Sequence, residues 1–171
     1  MIDNYSQAVK YKEPLLLFHQ ENGLLRNVSA ASGPVFAKNF AARGLAIGDF
    51  NNDGRIDVLV GNNGGPPLFL RNNAGAGNHW LGVKLQGTKC NRDAVGARIT
   101  WSAGGIKRSR LKNNGGSYLS SHDMREVLGI GTAAKIDWLE IQWPQPSGRT
   151  ERLIDLPVDR YITITEGKGV S

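Results

Sequence analysis

The feature that most constrains the fold of this sequence is an acidic loop, Asp49-Phe50-Asn51-Asn52-Asp53-Gly54-Arg55-Ile56-Asp57. Gly54 permits a sharp bend, after which the backbone carbonyl of Arg55 is placed to supply an oxygen ligand. Side-chain oxygens recur along the loop at a spacing typical of connections that wrap calcium. We therefore predict a Ca²⁺ site whose ligands are Asp49, Asn51, Asp53, Arg55 and Asp57.

The residues after the loop indicate a strand rather than a helix. A calcium loop of the EF-hand type has a bidentate Glu at its twelfth position, but here that position is Val60. The run Ile56–Val60 is apolar apart from Asp57 and rich in β-branched residues, which is typical of a strand. The acidic loop is therefore predicted to join two strands. One alternative stays open, an Asn/Asp-rich turn whose side chains cap backbone amides and bind no metal.

Turn-forming residues punctuate the whole sequence. The chain has 171 residues, 22 of them Gly, and Asn-Gly, Gly-Gly and Gly-Pro pairs recur along it. Hydrophobic residues make up 40% and charged residues 21%, which is a globular rather than a disordered composition. No long apolar stripe with helical spacing is present. Many short strands joined by tight turns are expected, so the predicted fold class is all-β.

A short internal repeat indicates propeller architecture in the first part of the chain. Pro14-Leu15-Leu16-Leu17-Phe18-His19 resembles Pro67-Leu68-Phe69-Leu70-Arg71-Asn72, 53 residues later. A period of this size with several short strands is typical of propeller blades. Residues 1–73 account for about one blade and the tail of another, whereas a propeller has at least about four. We therefore predict a partial blade that cannot close a propeller alone.

The pattern changes after the turn-rich stretch 72–77, and residues 78–167 are predicted to form a second domain. Segments of strand length there alternate or run apolar: His79–Leu85, Val95–Trp101, Ile106–Leu111, Ile136–Trp143, Glu151–Ile154 and Arg160–Thr165. Turn signals separate these segments. Strands at this spacing favour a compact antiparallel sandwich or barrel, and we expect a β-sandwich-like domain.

Charge, cysteine content and hydropathy limit the partners and the compartment. The net charge is +6, but the only local basic cluster, Lys107–Lys112, lacks aromatic residues suited to base stacking. We expect a solvated strand face there, with an anionic polymer or surface as the alternative, and no nucleic-acid partner. The single Cys90 excludes an intrachain disulfide. The sequence begins without a signal-peptide pattern, and Leu15–Phe18 is too short to span a bilayer, so no membrane insertion is expected.

Side chains suited to catalysis are better interpreted as structural. His122 lies in Ser120-Ser121-His122-Asp123, but neighbours along one loop point apart, whereas a catalytic triad needs separated groups that converge. His79 lies among apolar strand positions, and Cys90 has no histidine base nearby in sequence. Four Trp residues lie at strand spacing: Trp80, Trp101, Trp138 and Trp143. We expect them in the core, with a sugar-stacking platform as the alternative.

Several motifs, taken in order, resemble a known family. They are Asn78-His79-Trp80-Leu81, Asn91-Arg92-Asp93-Ala94-Val95-Gly96-Ala97-Arg98-Ile99, Gly115-Gly116-Ser117-Tyr118-Leu119-Ser120 and Glu140-Ile141-Gln142-Trp143-Pro144. Together they resemble the ASPIC/UnbV domain, and Ala46–Phe50 with the acidic loop resembles the calcium loop of an FG-GAP/VCBS repeat. The resemblance implies the C-terminal piece of a larger propeller protein, or a natural short relative. Proteins of this kind are secreted or periplasmic, bind calcium through the repeats and serve recognition or adhesion.

The sequence therefore predicts a non-catalytic, calcium-binding extracellular recognition or adhesion module with a protein or a glycan as its ligand. One alternative is an accessory carbohydrate-binding region of a larger polysaccharide-active enzyme. Another is a purely structural assembly domain. An incomplete blade leaves unpaired strand edges near residues 14–70, and such edges recruit other chains, so we expect self-association through them.

Overall fold

The computed structural model describes residues 10–75 and 77–171. Residues 1–9 of the predicted first domain and Ala76 of the predicted boundary lie outside this range. The described residues form strands, two short 3₁₀ turns, Ser29–Ala31 and Pro34–Ala37, and no α-helix. The all-β prediction is confirmed. Nowhere in the described ranges is there a helix long and apolar enough to cross a membrane.

Small sheets make up the first part of the chain. Its strands are β1 (Glu13–Pro14), β2 (Phe18–Glu21), β3 (Leu24–Asn27), β4 (Asn39–Phe40), β5 (Ala42–Gly48), β6 (Asp57–Asn62) and β7 (Leu68–Leu70). Strands β5, β6 and β7 form an antiparallel sheet in that order, while β2 pairs with β3 and β1 with β4. As predicted, the acidic loop joins two paired strands, β5 and β6.

The two copies of the internal repeat adopt different structures. In the second copy, β7 pairs with β6. In the first copy, residues 15–17 lie between β1 and β2 and belong to no strand. Instead, the Leu17 N–H donates to Ser29 Oγ (2.8 Å) and the Leu17 carbonyl accepts the N–H of Val28 (2.9 Å). The second copy forms a strand because β6 lies beside it. No described strand pairs with residues 15–17 of the first copy.

Two four-stranded sheets build the second part of the chain. Its strands are β8 (His79–Gln86), β9 (Arg98–Ala103), β10 (Ile106–Leu111), β11 (Gly116–Ser117), β12 (Ser120–Ser121), β13 (Glu126–Gly131), β14 (Trp138–Gln142), β15 (Thr150–Leu153), β16 (Tyr161–Thr165) and β17 (Gly169–Val170). One sheet has the order β10-β9-β14-β15, the other has the order β13-β8-β16-β17, and β11 pairs with β12. Strand β10 has its predicted bounds, whereas β9 begins at Arg98 rather than at the predicted Val95.

One strand pair contradicts the antiparallel prediction. Strand β16 runs parallel to β8, with Ile162 opposite Val83 and Ile164 opposite Leu85. A tight hairpin can join only antiparallel strands, whereas a parallel pair needs a long connection. Strands β9 to β15 all lie between β8 and β16 in the chain, so that connection is available. The sheet is therefore mixed.

The two four-stranded sheets share one hydrophobic core. Alternate residues point into it, such as Leu81 and Val83 on β8 and Ile99 on β9, all 0% exposed. Burying each such side chain contributes about 1.5–3 kcal/mol. Trp101 and Trp143 are buried in this core, as predicted, and Trp80 is buried outside it. Trp138 is half-buried.

Less apolar surface is buried in the first part of the chain. Large apolar side chains on and beside the β2–β3 hairpin are between 44% and 71% exposed: Leu16, Leu17, Phe18, Leu24 and Leu25. On the β5–β6–β7 sheet, Leu59 and Phe69 are 46% and 49% exposed. The acidic loop therefore depends for much of its support on the second part of the chain.

Candidate metal centre

The acidic loop is a tight connection whose first and last carboxylates are buried. Gly48 and Asp57 face each other across β5 and β6, and Asp49 and Asp57 are only 2% and 3% exposed. Asn52 and Gly54 have left-handed backbone conformations, with φ of +58° and +80°. These conformations reverse the chain direction within a few residues. Gly54 adopts the left-handed conformation at no steric cost, as the sequence predicted.

Asp49 holds the bend from the inside. Its Oδ1 accepts the backbone N–H of Asp53 (3.0 Å), and its Oδ2 accepts that of Gly54 (2.8 Å). The same Oδ2 accepts the hydroxyl of Tyr161 on β16 (2.7 Å). These three bonds replace the water that a buried carboxylate loses, so Asp49 is tolerated inside the protein.

Asp57 ties the loop to the rest of its sheet. Its Oδ2 accepts the N–H of Phe50 (3.1 Å), and its Oδ1 accepts the N–H of Asn72 (2.8 Å), a residue that follows β7. One carboxylate thus joins both ends of the connection to the far strand of the three-stranded sheet.

Asp53 bonds with two of the other predicted ligands. Its Oδ1 accepts the Arg55 N–H (2.9 Å), while its Oδ2 accepts a hydrogen bond from Asn51 Nδ2 (2.7 Å) and pairs with the Arg55 guanidinium. Burial by itself would raise the pKa of Asp53, but the hydrogen bonds from Asn51 and Arg55, with the charge of Arg55, lower it below its ordinary value. Asp53 is therefore ionised at neutral pH.

The donor set suits calcium, but its side chains are arranged as caps. Three carboxylates in one loop offer the hard oxygen ligands that Ca²⁺ prefers. Across residues 10–75 and 77–171, however, no three Asp, Glu, His or Cys side chains converge closely enough to hold one metal ion. Asp49 and Asp57 face backbone amides, and Asp53 faces Arg55, as in the alternative Asn/Asp-rich turn. The residues fit calcium by their chemistry, and gathering them around an ion requires Asp53 to rotate.

Side chains from the second part of the chain pack against the acidic loop and donate hydrogen bonds to it. A Cβ on Gly54 would overlap ring atoms of Trp80, so the loop backbone packs directly on the indole. Arg125 donates from Nη1 to Asn52 Oδ1 (2.7 Å) and from Nη2 to the carbonyl oxygen of Asp49 (3.1 Å). The loop therefore lies between its own sheet and the second part of the chain.

Sequence reasoning missed Trp80, Arg125 and Tyr161 as partners of the loop. Tyr161 lies 112 positions after Asp49, and the hydrogen bond between them arises from tertiary packing. The motif around Trp80 was visible, but it indicated a family rather than a contact. Only a sequence signal that links positions far apart in the chain could have identified these residues as partners of the loop.

Residues near β12 cover part of the free edge of β5. His122 Nδ1 accepts the N–H of Ile47 (3.3 Å), and the Asp123 N–H donates to the Ile47 carbonyl (2.9 Å). This acceptor role gives His122 a structural contact, in line with its sequence interpretation. The edge of β5 was expected to be unpaired, and here the chain itself covers part of it.

Two other chemically active side chains have local partners. His79 Nδ1 lies 2.7 Å from Asp159 Oδ2 on the surface. Burial, and then the neighbouring carboxylate of Glu166, raise the pKa of Cys90 to about 11. The Cys90 thiol is therefore protonated at neutral pH, which agrees with the structural role expected for it.

Comparison with known proteins identifies the second part of the chain. Residues 87–171 match the family model described as ASPIC and UnbV. A stretch of 63 residues is 41% identical to cartilage acidic protein 1 from Mus musculus, and it covers 36% of this chain and 10% of that protein. The matched stretch thus spans about a tenth of the length of this relative. The resemblance to the ASPIC/UnbV domain is confirmed over residues 87–171, which are such a domain.

Proposed function

We propose that this chain is a non-catalytic, calcium-stabilised module for recognition or adhesion, in which the acidic loop takes up Ca²⁺. The observation that carries the proposal is the donor set of one short connection between β5 and β6, which holds three carboxylates, two of them buried. Side-chain oxygens of Asp49, Asn51, Asp53 and Asp57 would hold the ion together with the Arg55 carbonyl. A bound ion would supply positive charge that relieves repulsion of roughly 1 kcal/mol or more per close carboxylate pair.

Calcium binding would require the Asp53 side chain to change its conformation. Its Oδ2 now bonds with Asn51 and with the partly exposed guanidinium of Arg55. We expect Ca²⁺ to displace both contacts, because a divalent ion attracts a carboxylate more strongly than a monovalent guanidinium does. Asp49 and Asp57 need less change, since a carboxylate has about four lone-pair sites and theirs are only partly used.

The architecture that we infer is a partial propeller blade, within residues 1–73, followed by a sandwich-like domain, within residues 78–167. The three-stranded β5–β6–β7 sheet and the acidic loop support the blade. The core shared by two four-stranded sheets supports the sandwich. From the family resemblance we place the module outside the cytoplasm, in an extracellular or periplasmic setting.

A protein or a glycan is the ligand that we propose for recognition. Phe50, on the acidic loop, is 80% exposed. Its ring meets that of Phe69 edge-on, with 5.2 Å between the centroids. Both rings line a pocket of about 580 Å³ that also includes Leu59 and Arg125. Exposed aromatic surface beside polar groups is typical of recognition sites, and this supports the proposal.

Calorimetric titration of the full chain with CaCl₂ tests the calcium component. We expect one ion to bind per chain, and the Asp53→Asn variant to bind at least about tenfold more weakly because it loses a charged ligand. Asp155→Asn is the matched control, since Asp155 is exposed and, like Asp53, loses one charge on substitution. Wild-type protein that takes up no calcium, or equal affinity in the wild type and Asp53→Asn, would contradict the proposal.

A second candidate function, accessory carbohydrate binding, is favoured by Trp138. This half-buried side chain lies on the outer face of its sheet with Arg152 Cζ 4.3 Å and Lys107 Nζ 5.8 Å from its ring centroid. Cations beside an accessible indole suit an acidic sugar. Binding of the chain to acidic glycans on an array, lost in Trp138→Ala, would support this candidate, and an array without signal would remove it.

A further inference from the structure

Tyr161 brings a single, fixed hydrogen-bond donor to the acidic loop. Its hydroxyl donates to Asp49 Oδ2 (2.7 Å), the oxygen that also accepts the N–H of Gly54. Tyr161 belongs to β16 in the ASPIC/UnbV domain, whereas Asp49 follows β5. A domain that supplies no predicted ligand therefore contacts the first predicted ligand directly.

Close packing fixes the position of the Tyr161 ring. A Cβ on Gly82 would overlap the ring, so Gly82 leaves the space that the ring fills. Trp80 meets the ring edge-on with 5.1 Å between the centroids, and the Arg125 guanidinium lies 4.2 Å from the ring centroid. Because three neighbours restrain the ring, its hydroxyl has little freedom to follow a moving carboxylate.

A fixed donor limits how the Asp49 carboxylate can rotate. Hydrogen bonds to Oδ2 from Tyr161 and Gly54, and to Oδ1 from Asp53, set the plane of the group. Partners that orient a ligating carboxylate are part of a metal site, and losing one typically weakens metal binding about 10–100-fold. Arg125 restrains the backbone at the same position, because it bonds the Asp49 main-chain carbonyl oxygen.

We propose that Tyr161 is a positioning residue of the acidic loop, so that the calcium affinity of the loop depends on the ASPIC/UnbV domain. This inference rests on the proposed function, because it concerns the same ion and the same loop. It adds a coupling between two parts of the chain. Calcium binding would stabilise the loop conformation that contacts the domain. By the same factor, those contacts would raise the calcium affinity of the loop.

Calcium titration of the full-length Tyr161→Phe variant tests the inference. Phe keeps the ring and removes the hydroxyl, so we expect calcium to bind about tenfold more weakly than to the wild type. Tyr118→Phe is the matched control, since Tyr118 is 66% exposed and loses the same hydroxyl. Its affinity is expected to equal that of the wild type.

A second readout separates positioning from general stability. Melting midpoints of wild type and Tyr161→Phe are compared in chelator and in excess calcium. A purely structural role lowers both midpoints of the variant equally and leaves the calcium-induced difference unchanged. A positioning role makes that difference smaller than in the wild type.

The possible outcomes distinguish the two proposals. Weaker binding by Tyr161→Phe, with a smaller calcium-induced shift and an unchanged Tyr118→Phe control, supports the inference. Equal calcium affinity in Tyr161→Phe and wild type overturns the inference and leaves the calcium site standing. Wild-type protein that binds no calcium overturns both.

Discussion

Glu166 shows how hydrogen bonds from backbone N–H groups allow this protein to bury an ionised carboxylate. Glu166 is 3% exposed, and three consecutive N–H groups donate to its Oε2: Thr88 (2.7 Å), Lys89 (2.8 Å) and Cys90 (3.1 Å). Burial alone would raise the pKa of Glu166, but the hydrogen bonds from Ser147 and from these N–H groups hold it well below its ordinary value. The charged side chain thus anchors the loop after β8 to the end of β16.

Replacing Glu166 with Gln is expected to remove a pH-dependent part of the stability. The folded-state pKa lies below its ordinary value of 4.5, so the wild type has the full contribution above that pH and loses it as the pH falls toward the folded-state pKa. At pH 7 we expect Glu166→Gln to lower the free energy of unfolding by about 1–3 kcal/mol, with a smaller effect near pH 3. Urea denaturation at both pH values measures this.

The control for that experiment is Glu21→Gln, because Glu21 forms an exposed ion pair with Arg26. Exposed pairs contribute at most about 1 kcal/mol, so this variant should stay close to the wild type at both pH values. An effect of Glu166→Gln that is the same at pH 7 and pH 3 would contradict the role assigned to its charge.

The sequence could predict residues of the acidic loop but not their contacts. Alternating oxygen donors indicated Asp49 and Asp57 as special, and both are buried. Their donors include Tyr161 and Asn72, whose positions depend on the packing of distant strands. Glu166 carries no local signal at all, because its three donors lie more than 70 positions earlier in the chain.

Whole elements meet at the acidic loop, where backbone approaches an aromatic ring. Position 54 requires a glycine for two reasons. Its φ is positive, and a side chain there would overlap the indole of Trp80. The sequence predicted the first requirement from the turn. The second appears only when β8 is placed against the loop.

The Gly54→Ala variant is expected to lose about 2–4 kcal/mol of unfolding free energy, because backbone strain and overlap with Trp80 add together. Gly64→Ala is the matched control, since Gly64 has a similar φ of +73° but a Cβ added there would meet nothing within 4 Å beyond its chain neighbours. The control should lose only about 1 kcal/mol. Thermal or urea denaturation measures both, and equal losses would show that the contact with Trp80 contributes nothing.

Strand prediction succeeded where turn signals bound a segment on both sides and failed where Gly interrupts the strand pattern. Ile106–Leu111 was predicted with its observed bounds. Strand β13 was missed, since Gly129 and Gly131 weaken its pattern and its conformation depends on pairing with β8. The parallel position of β16 was also missed, because residue alternation reports which face is buried but not the direction of the neighbouring strand.

At the scale of the whole molecule, the acidic loop and the segment near β12 join two regions of unequal burial. The second region has a shared core, whereas the first leaves Phe18 and Leu25 51% and 71% exposed. Part of the β5 edge is covered within the chain, but β7 is the last strand of its sheet in the described residues. The repeat predicted a blade-like region, but it could not show which edge remains accessible.

Self-association through β7 and its apolar neighbours is therefore expected at high protein concentration. Phe69→Lys, which places a charge on β7, should reduce the average mass measured by light scattering. Ile106→Lys is the matched control, since Ile106 is 57% exposed on β10, an edge strand of another sheet. A strictly monomeric wild type across the concentration series would contradict this expectation.

The most direct test of the central claim is the melting midpoint of the full chain in excess calcium and again in chelator. At about one hundred times the dissociation constant, a bound ion adds about 2.7 kcal/mol. For a chain of this size we therefore expect calcium to raise the midpoint by about 5–10 °C. Asp53→Asn, with calcium binding at least about tenfold weaker, should remove about half of the rise or more. Identical midpoints in calcium and in chelator would contradict a calcium site in the acidic loop.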